Sequence, residues 1–453
     1  MLDYPQIIFR YSEIGLKGQN LRFYEKILQN NIFNTIKYIY KKELDFVIKF
    51  DQKQGKIYIN SESAEKASKI AEKILLSLKY VSGIAWYAKV EQTVTTKEFA
   101  SDYKVALDKT LKQLGTFYFE NIVVKRYDKS LSFTSHDIWL YVRKYLRDLQ
   151  DNKADVIQKS SVVKQYDIHS VNNSSNKDHD MKLKNRVTKS GNRVTSKQDL
   201  IILIHKNNVL FAVKKLGLGG LPVGATGKGI VLFSGGIDSP VASIMMANRG
   251  TNFSLLHFTP LSAQEIKKTK IYKLYKVLKL YNPYTKLYIA NIPFIQDLLK
   301  NNNKVQSQKI YNLMILFKRL IVRIAYRFGA KLYKYNFITV LGDSLGQVSS
   351  QTISNMIATT ESFYSFNNDK CSDSIKKSVL IRPLVGLNKD FIIDLAKKYG
   401  TYELSIQEYI DCCSRLAKNS KTETNLSKMQ TQEAELDMNS IVGRSIETIQ
   451  VVE

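Results

Sequence analysis

The sequence predicts a multidomain chain of mixed α+β and α/β class, with a small ferredoxin-like domain at the N-terminus, a second α+β domain, and a C-terminal doubly wound parallel sheet. Three observations carry this. From Gln6 to Val81 the pattern runs strand, helix, hairpin, helix. From Gly229 onward, apolar strand-like runs alternate with helical ones. At 453 residues the chain is long enough for two or three domains, each with its own core.

Taken in order, QIIFRYS (Gln6 to Ser12) predicts a strand and GQNLRFYEKILQNNIFNTIKYIY a helix with apolar positions at helical spacing. DFVIKFDQKQGKIYIN predicts a hairpin around Gln-Gly, and SAEKASKIAEKILLSLKYV a second helix, which completes a domain over residues 1–75. The second domain, residues 76–217, begins with EFASDYKVALDKTLKQLG as helix and ENIVVKRY as strand, followed by a basic helix around SHDIWLYVRKYLRDL. At about 151–197 the composition turns to Asn, Ser, Lys and Asp (VNNSSNKDHDMKLKN) without periodicity, which predicts a polar insert in a loop. DLIILIHKNNVLFAVKKL returns as a hairpin with Asn-Asn at its turn. In the third domain, residues 218–453, strands IVLFS, FSLLHF, KLYIANI, NFITVLGDS and LIRPLVG alternate with helices, which implies a parallel sheet covered on both faces.

Lys and Arg outnumber Asp and Glu by 68 to 41, giving a formal net charge of +27 and pointing to a polyanionic partner, nucleic acid first. Three cysteines, Cys371, Cys412 and Cys413, are too few for a disulfide framework and suggest a reducing compartment. No apolar run approaches the roughly 18 residues of a membrane span, and the N-terminus has no apolar signal core, so the expectation is a cytoplasmic protein without a membrane partner.

VLFSGGIDSP, Val231 to Pro240, places a glycine pair between an apolar strand and a helical run, where anions bind. Two familiar nucleotide loops fail the test. A Walker A loop ending at Gly227-Lys228 would need glycine at Pro222 and a hydroxyl at Gly229, and the Rossmann pattern fails at GLGGLP. In SGGIDS, Gly235 and Gly236 let backbone N–H groups turn inward, and Ser234 and Ser239 offer hydroxyls. Asp238 would repel a phosphate, so its presence argues for Mg²⁺ beside it.

SGGIDS resembles the signature of the PP-loop ATP pyrophosphatases, which convert ATP to AMP and pyrophosphate and leave the substrate adenylylated. GLGGLPVGATGKG, LGDSLGQVSSQT (Leu341 to Thr352), RPLVGLNKDFIIDLAKKYGTYELSI (Arg382 to Ile406) and DCC (Asp411 to Cys413) resemble the tRNA 4-thiouridine synthetase, or tRNA sulfurtransferase, family. RYSEIGLKGQN and VKRYDKSLSFTS are similar to its ferredoxin-like and THUMP RNA-binding domains. The resemblance implies that the C4 oxygen of a uridine, position eight of tRNA, is adenylylated, and that sulfur carried as a persulfide from a cysteine desulfurase displaces AMP. Some members also supply the sulfur-carrier protein of thiamine thiazole synthesis.

Carried onto this chain, the resemblance puts the nucleotide against Leu232, Phe233, Ser234, Gly235, Gly236, Asp238 and Ser239, with His257 and Phe258 after the next strand, and Gly342 and Gln351 completing the pocket. Where the family has Met-Arg-Arg this chain has Leu316-Phe317-Lys318-Arg319, and Lys318 takes the place of the nucleotide-binding arginine. No rhodanese-like segment follows DCC, so sulfur handling falls to Cys412, to Cys413 or to a partner. Alignment favours Cys412, and adjacent residues do not face one substrate equally. For RNA, Lys125, Arg126 and Lys129, together with Arg143, Lys144 and Arg147 of the basic helix, are the expected phosphate contacts. Another PP-loop ligase and a non-catalytic RNA-binding protein are the competing classes. Whether the chain forms a homodimer is left open.

Overall fold

A computed structural model describes residues 4–51, 54–114, 119–160, 198–300, 311–367, 377–409, 416 and 421–453. Its elements in chain order are β1 (Ile7–Tyr11), α1 (Leu21–Tyr40), β2 (Phe46–Asp51), β3 (Gln54–Ile59), α2 (Ala64–Leu78), β4 (Ile84–Thr95), α3 (Thr96–Ser101), α4 (Tyr103–Leu114), β5 (Phe119–Arg126), α5 (Ser135–Ser160), β6 (Gln198–Ile204) and β7 (Asn208–Leu216). There follow β8 (Gly227–Leu232), α6 (Asp238–Asn248), β9 (Thr251–Phe258), α7 (Ala263–Ile266), α8 (Lys270–Tyr281), β10 (Leu287–Ala290), α9 (Pro293–Lys300), α10 (Leu313–Leu332), β11 (Phe337–Val340) and α11 (Ile353–Asn367). The last are β12 (Ser378–Ile381), α12 (Lys389–Tyr399), α13 (Tyr402–Ser405), α14 (Leu426–Ala434), α15 (Met438–Glu447) and β13 (Gln450–Val452).

The chain divides into two compact units, one of Met1–Ile8, Lys56–Glu72 and Tyr87–Lys215, the other of Phe9–Gly55, Lys73–Trp86 and Leu216–Glu453. In the first, strands lie in the order β4-β7-β6-β5, with β5 parallel to β6 and β6 antiparallel to β7. Leu200, Ile202, Ile204, Val209 and Phe211 of that sheet bury one core with Leu107, Leu111, Ile138 and Val142 of α4 and α5. The single helix expected over 98–115 is broken at Asp102, which leaves helical geometry and accepts hydrogen bonds from the amides of Lys104 and Val105, so it caps α4. The backbone of α5 runs on to Ser160, past the expected start of the insert at 151; most of that segment lies outside the described residues.

The second unit holds a six-stranded sheet in the order β12-β11-β8-β9-β10-β13, parallel except for the antiparallel β13. Both faces are covered, which explains the unbroken apolar run of β8. Ile230 and Leu232 face the core formed with α10, whereas Val231 and Phe233 face the core formed with α6, α8 and α12. Connections run from β8 through β9 to β10 on one side and then cross to β11 on the other, so the order of winding reverses between the parallel strands β8 and β11. In doubly wound sheets that switch point is where ligands bind. Gln54-Gly55, expected at a turn, lies inside β3; a Cβ on Gly55 would come within 1.9 Å of the Phe9 ring, which needs that space. Among the described residues no helix is long and apolar enough to cross a membrane.

Candidate active site

SGGIDS leaves the C-terminal end of β8 and enters α6 at Asp238. Gly235 holds φ +78°, which glycine adopts freely, and a Cβ there would come within 2.2 Å of Ile271 Cδ1 on α8. Above Gly236 the space is open, the nearest atom to an added Cβ being Ser234 Oγ at 3.6 Å. The serine hydroxyls are engaged inside the loop. Ser239 Oγ accepts from the Ser234 amide at 3.2 Å and lies 3.3 Å from Ser234 Oγ, which in turn accepts from the Gly236 amide at 3.3 Å. The Asp238 and Ser239 amides begin α6 without an intrahelical acceptor, Pro240 having no N–H to add, and they give the loop the positive helix end that suits phosphate oxygens. Gly342, at the end of β11, packs directly on this turn, where a Cβ would come within 3.0 Å of the Ser239 backbone.

Asp238 is held from two sides. Lys389 Nζ donates to Oδ1 at 2.7 Å and Gln347 Nε2 to Oδ2 at 2.9 Å. Asn388 caps α12 by accepting from the Phe391 amide, which fixes Lys389 as its first residue. The expectation of Mg²⁺ rested on an unbalanced acid, and Lys389 supplies one balancing charge. No cluster of three or more His, Cys, Asp or Glu converges among the described residues.

Behind this pair, the loop after β11 carries a second charged group. Asp343, almost wholly buried, accepts from Lys318 Nζ at 3.0 Å, Arg382 Nε at 3.2 Å and Gln351 Nε2 at 3.3 Å. Burial alone would raise its carboxyl, but the charges of Lys318 and Arg382 more than offset that and hold it below the usual carboxylate range. Lys318, expected to take the place of the nucleotide-binding arginine, thus spends its ammonium on Asp343 in the loop after β11. Its neighbour Arg319 points elsewhere, since successive helical residues diverge by about 100°. Arg319 is 1% exposed, bound to both oxygens of Glu433, to Glu361 and to the carbonyl of Ala358.

Leu232, Phe233 and Phe258 bury their side chains in the two cores, so only their backbone edges are left to border a nucleotide. His257, 1% exposed, lies with Nδ1 2.7 Å from the Phe233 carbonyl; a carbonyl only accepts, so Nδ1 carries the hydrogen. Its Nε2 lies 2.9 Å from the Tyr409 hydroxyl. Lys270, beside Ile271, donates to the carbonyls of Ser405 and Gln407 at 2.7 Å each. The N-terminus of α8 therefore touches the SGGIDS loop on one side and the stretch leading to DCC on the other. Cys412 and Cys413 lie outside the described residues, as do Asp411 and Cys371.

In the first unit, Arg143 and Arg147 line a concave surface of about 460 Å³ with Phe119, Asn121, Ile122, Trp139 and Leu146, and the Arg143 guanidinium stacks 4.7 Å from the Trp139 ring. Lys129 and Lys144 are exposed and Lys125 is half-buried. Arg126 is spent on structure, its guanidinium donating to the carbonyls of Leu131 and Phe133. Lys389, Gln347, Asp343, Arg382, Lys270 and Tyr409 were not singled out by residue type. The signal lay in LGDSLGQVSSQT and RPLVGLNKD, whose polar residues follow strand ends.

A family model described as "Thiamine biosynthesis protein (ThiI)" matches residues 224–438, and one described as "ThiI ferredoxin-like domain" matches residues 6–88. Among solved structures, a 4-thiouridine synthetase in complex with RNA and bound ATP matches with a TM-score of 0.65 and 23% identity over 100% of both chains. PH1313 from Pyrococcus horikoshii matches with a TM-score of 0.50 and 18% identity over 87% of this chain and 99% of its own. These likenesses establish the fold. The "Probable tRNA sulfurtransferase" of Acetivibrio thermocellus is 28% identical over 452 residues, 98% of each chain. That of Staphylococcus aureus strain Newman is 30% identical over 461 residues, spanning 100% of this chain and 95% of its own. Identity at that level over the whole length means that this chain belongs to the tRNA sulfurtransferase (ThiI) family.

Proposed function

We propose that this chain makes 4-thiouridine at position eight of tRNA, using ATP to activate the uridine and a persulfide to deliver sulfur. The observation that carries the reading is the SGGIDS loop at the sheet's switch point, with Asp238 locked between Lys389 and Gln347. The residues fit ATP: a glycine with positive φ, an open face over Gly236 and the first-turn amides of α6 form a cradle for phosphate oxygens. Mg²⁺ bound with ATP would find in Asp238 one carboxylate neighbour and would offset phosphate charge.

A carbonyl oxygen is a poor leaving group until it is esterified to phosphate. The uridine O4 attacks the α-phosphorus of ATP and pyrophosphate leaves. The terminal sulfur of a persulfide then attacks C4 and AMP leaves. A thiol cleaves the remaining S–S bond, so the base keeps one sulfur and a protein disulfide is left for a thiol reductant. Cys412 receives or resolves the persulfide, with a cysteine desulfurase as donor. The family model's description, which names thiamine biosynthesis, supports a second sulfur acceptor in the carrier protein of the thiazole branch.

The test is to measure AMP and pyrophosphate release with tRNA present. Wild type and Cys412→Ser should both release AMP, whereas only wild type should thiolate. Absence of tRNA-dependent AMP release from the wild type would contradict the reading, and thiolation by Cys412→Ser but not by Cys413→Ser would move the assignment by one residue.

A further inference from the structure

Helices α1 and α8 pack together within the second unit, and at the C-terminal end of α1 two ammonium groups converge on one ring. Lys41 Nζ lies 4.2 Å from the Tyr38 centroid, and Lys279 Nζ lies 5.2 Å from the same centroid and 5.6 Å from that of Tyr275. The Tyr38 hydroxyl donates to the Lys276 carbonyl at 3.2 Å, which seats the ring between the helices. Among the described residues no acid is within ion-pairing distance of Lys41 or Lys279; Glu43 is taken by Lys37 at 2.6 Å.

Basic residues suit a helix C-terminus, and that accounts for Lys37 and Lys41. It does not account for Lys279, which arrives from another helix. Two further observations single out the place. Lys41 holds φ +56°, and it is the one non-glycine residue at positive φ among those described. Glycine would sit there without strain, and a lysine gives up about 1 kcal/mol to do so. Along α8, lysine recurs at every third position: Lys270, Lys273, Lys276 and Lys279. Lys270 turns inward to carbonyls, whereas Lys273 and Lys276 are exposed and Lys276 stacks 4.7 Å from the Tyr272 centroid. Burial, and then repulsion from Lys41, lowers the Lys279 ammonium, and an anion bound between the two lysines would offset that repulsion.

We propose that Lys41, Lys276 and Lys279, seated on Tyr38 and Tyr272, form an RNA-backbone-binding surface on the catalytic unit, in addition to the residues expected on the first unit. This deepens the tRNA reading and rests on it. Unpaired lysines a helical turn apart, each backed by an aromatic face, suit successive phosphates.

The test uses the full chain and an unmodified tRNA transcript, titrated over a series of salt concentrations. Lys41→Gln/Lys279→Gln should weaken binding about tenfold at low salt and make the slope of log K against log salt shallower by about 1 to 2, one condensed counterion per lost contact. AMP formation at saturating tRNA should be unchanged. Lys41→Gly, which relaxes the backbone, should melt no lower than wild type and still bind RNA more weakly, so misfolding is not the cause. Wild-type affinity and slope in the double variant would overturn the proposal. So would unchanged RNA binding with lost persulfide delivery from the desulfurase, which would make the surface a protein-docking one. Because binding is measured without thiolation, failure of the reaction itself would leave this result standing.

Discussion

Asp238 and the two glycines before it show how far single residues decide this site. Asp238 is positioned by Lys389, 151 residues away in sequence, and by Gln347. Replacing it with Asn keeps the shape and removes the charge, so the melting temperature of Asp238→Asn should stay within about 3 °C of wild type. Its tRNA-dependent AMP release should fall at least about 100-fold, as for loss of a preorganised electrostatic group. Loss of tRNA binding with ATP turnover intact would contradict this. The glycines separate fold from function. Gly235→Ala meets both a positive φ and the Ile271 side chain, and should lose about 1–3 kcal/mol in urea unfolding as well as ATP binding. Gly236→Ala points into open space, so its stability should hold within about 0.5 kcal/mol while nucleotide affinity drops, the methyl occupying part of the cradle.

At the scale of elements, α10 serves two masters through adjacent residues. Lys318 reaches Asp343 beside the pocket, and one position on, Arg319 with Arg323 grips Glu433 of α14. Burial would raise the Glu433 carboxyl, but hydrogen bonds and charge from Arg319 and Arg323 more than offset this and lower it. A carboxylate lowered in the folded state contributes stability above its unfolded pKa, near 4, and that contribution is lost as pH falls through the lower folded value. Asp343 acts in the same direction. Chemical unfolding should therefore show stability lost on the acid side below about pH 4. Glu433→Gln should cost about 3–5 kcal/mol at neutral pH, because it strands two buried guanidinium groups, and its acid limb should be shallower. An unchanged midpoint would mean that solvent reaches the pair. The stretch from Ser405 to Tyr409, pinned by Lys270 and His257, is a second element-scale device. Tyr409→Phe keeps the ring and removes the hydroxyl. It should release AMP within about twofold of wild type and transfer sulfur more slowly; equal sulfur transfer would show that the hydrogen bond positions nothing beyond itself.

For the molecule as a whole, local pattern was legible and long-range pairing was not. Alternating apolar runs foretold the parallel sheet, and a glycine pair between strand and helix foretold the turn that joins β8 to α6, because both are written in consecutive residues. Only the tertiary fold decides that Lys318 meets Asp343 and Arg319 meets Glu433. Leu232, Phe233 and Phe258 were expected to border the nucleotide, yet a sheet covered on both faces claims their side chains first. Arg126 was expected on RNA, but the carbonyls of Leu131 and Phe133 need a donor. The net charge of +27 spans both units, which is why a polyanionic partner was legible while the residues that meet it were not.

Nucleoside mass spectrometry of a tRNA transcript incubated with the protein, ATP, cysteine and a cysteine desulfurase tests the central claim most directly. The prediction is 4-thiouridine at position eight, formed only when ATP is present and lost with Asp238→Asn. An unmodified uridine there after incubation with wild-type protein that binds both tRNA and ATP would contradict it.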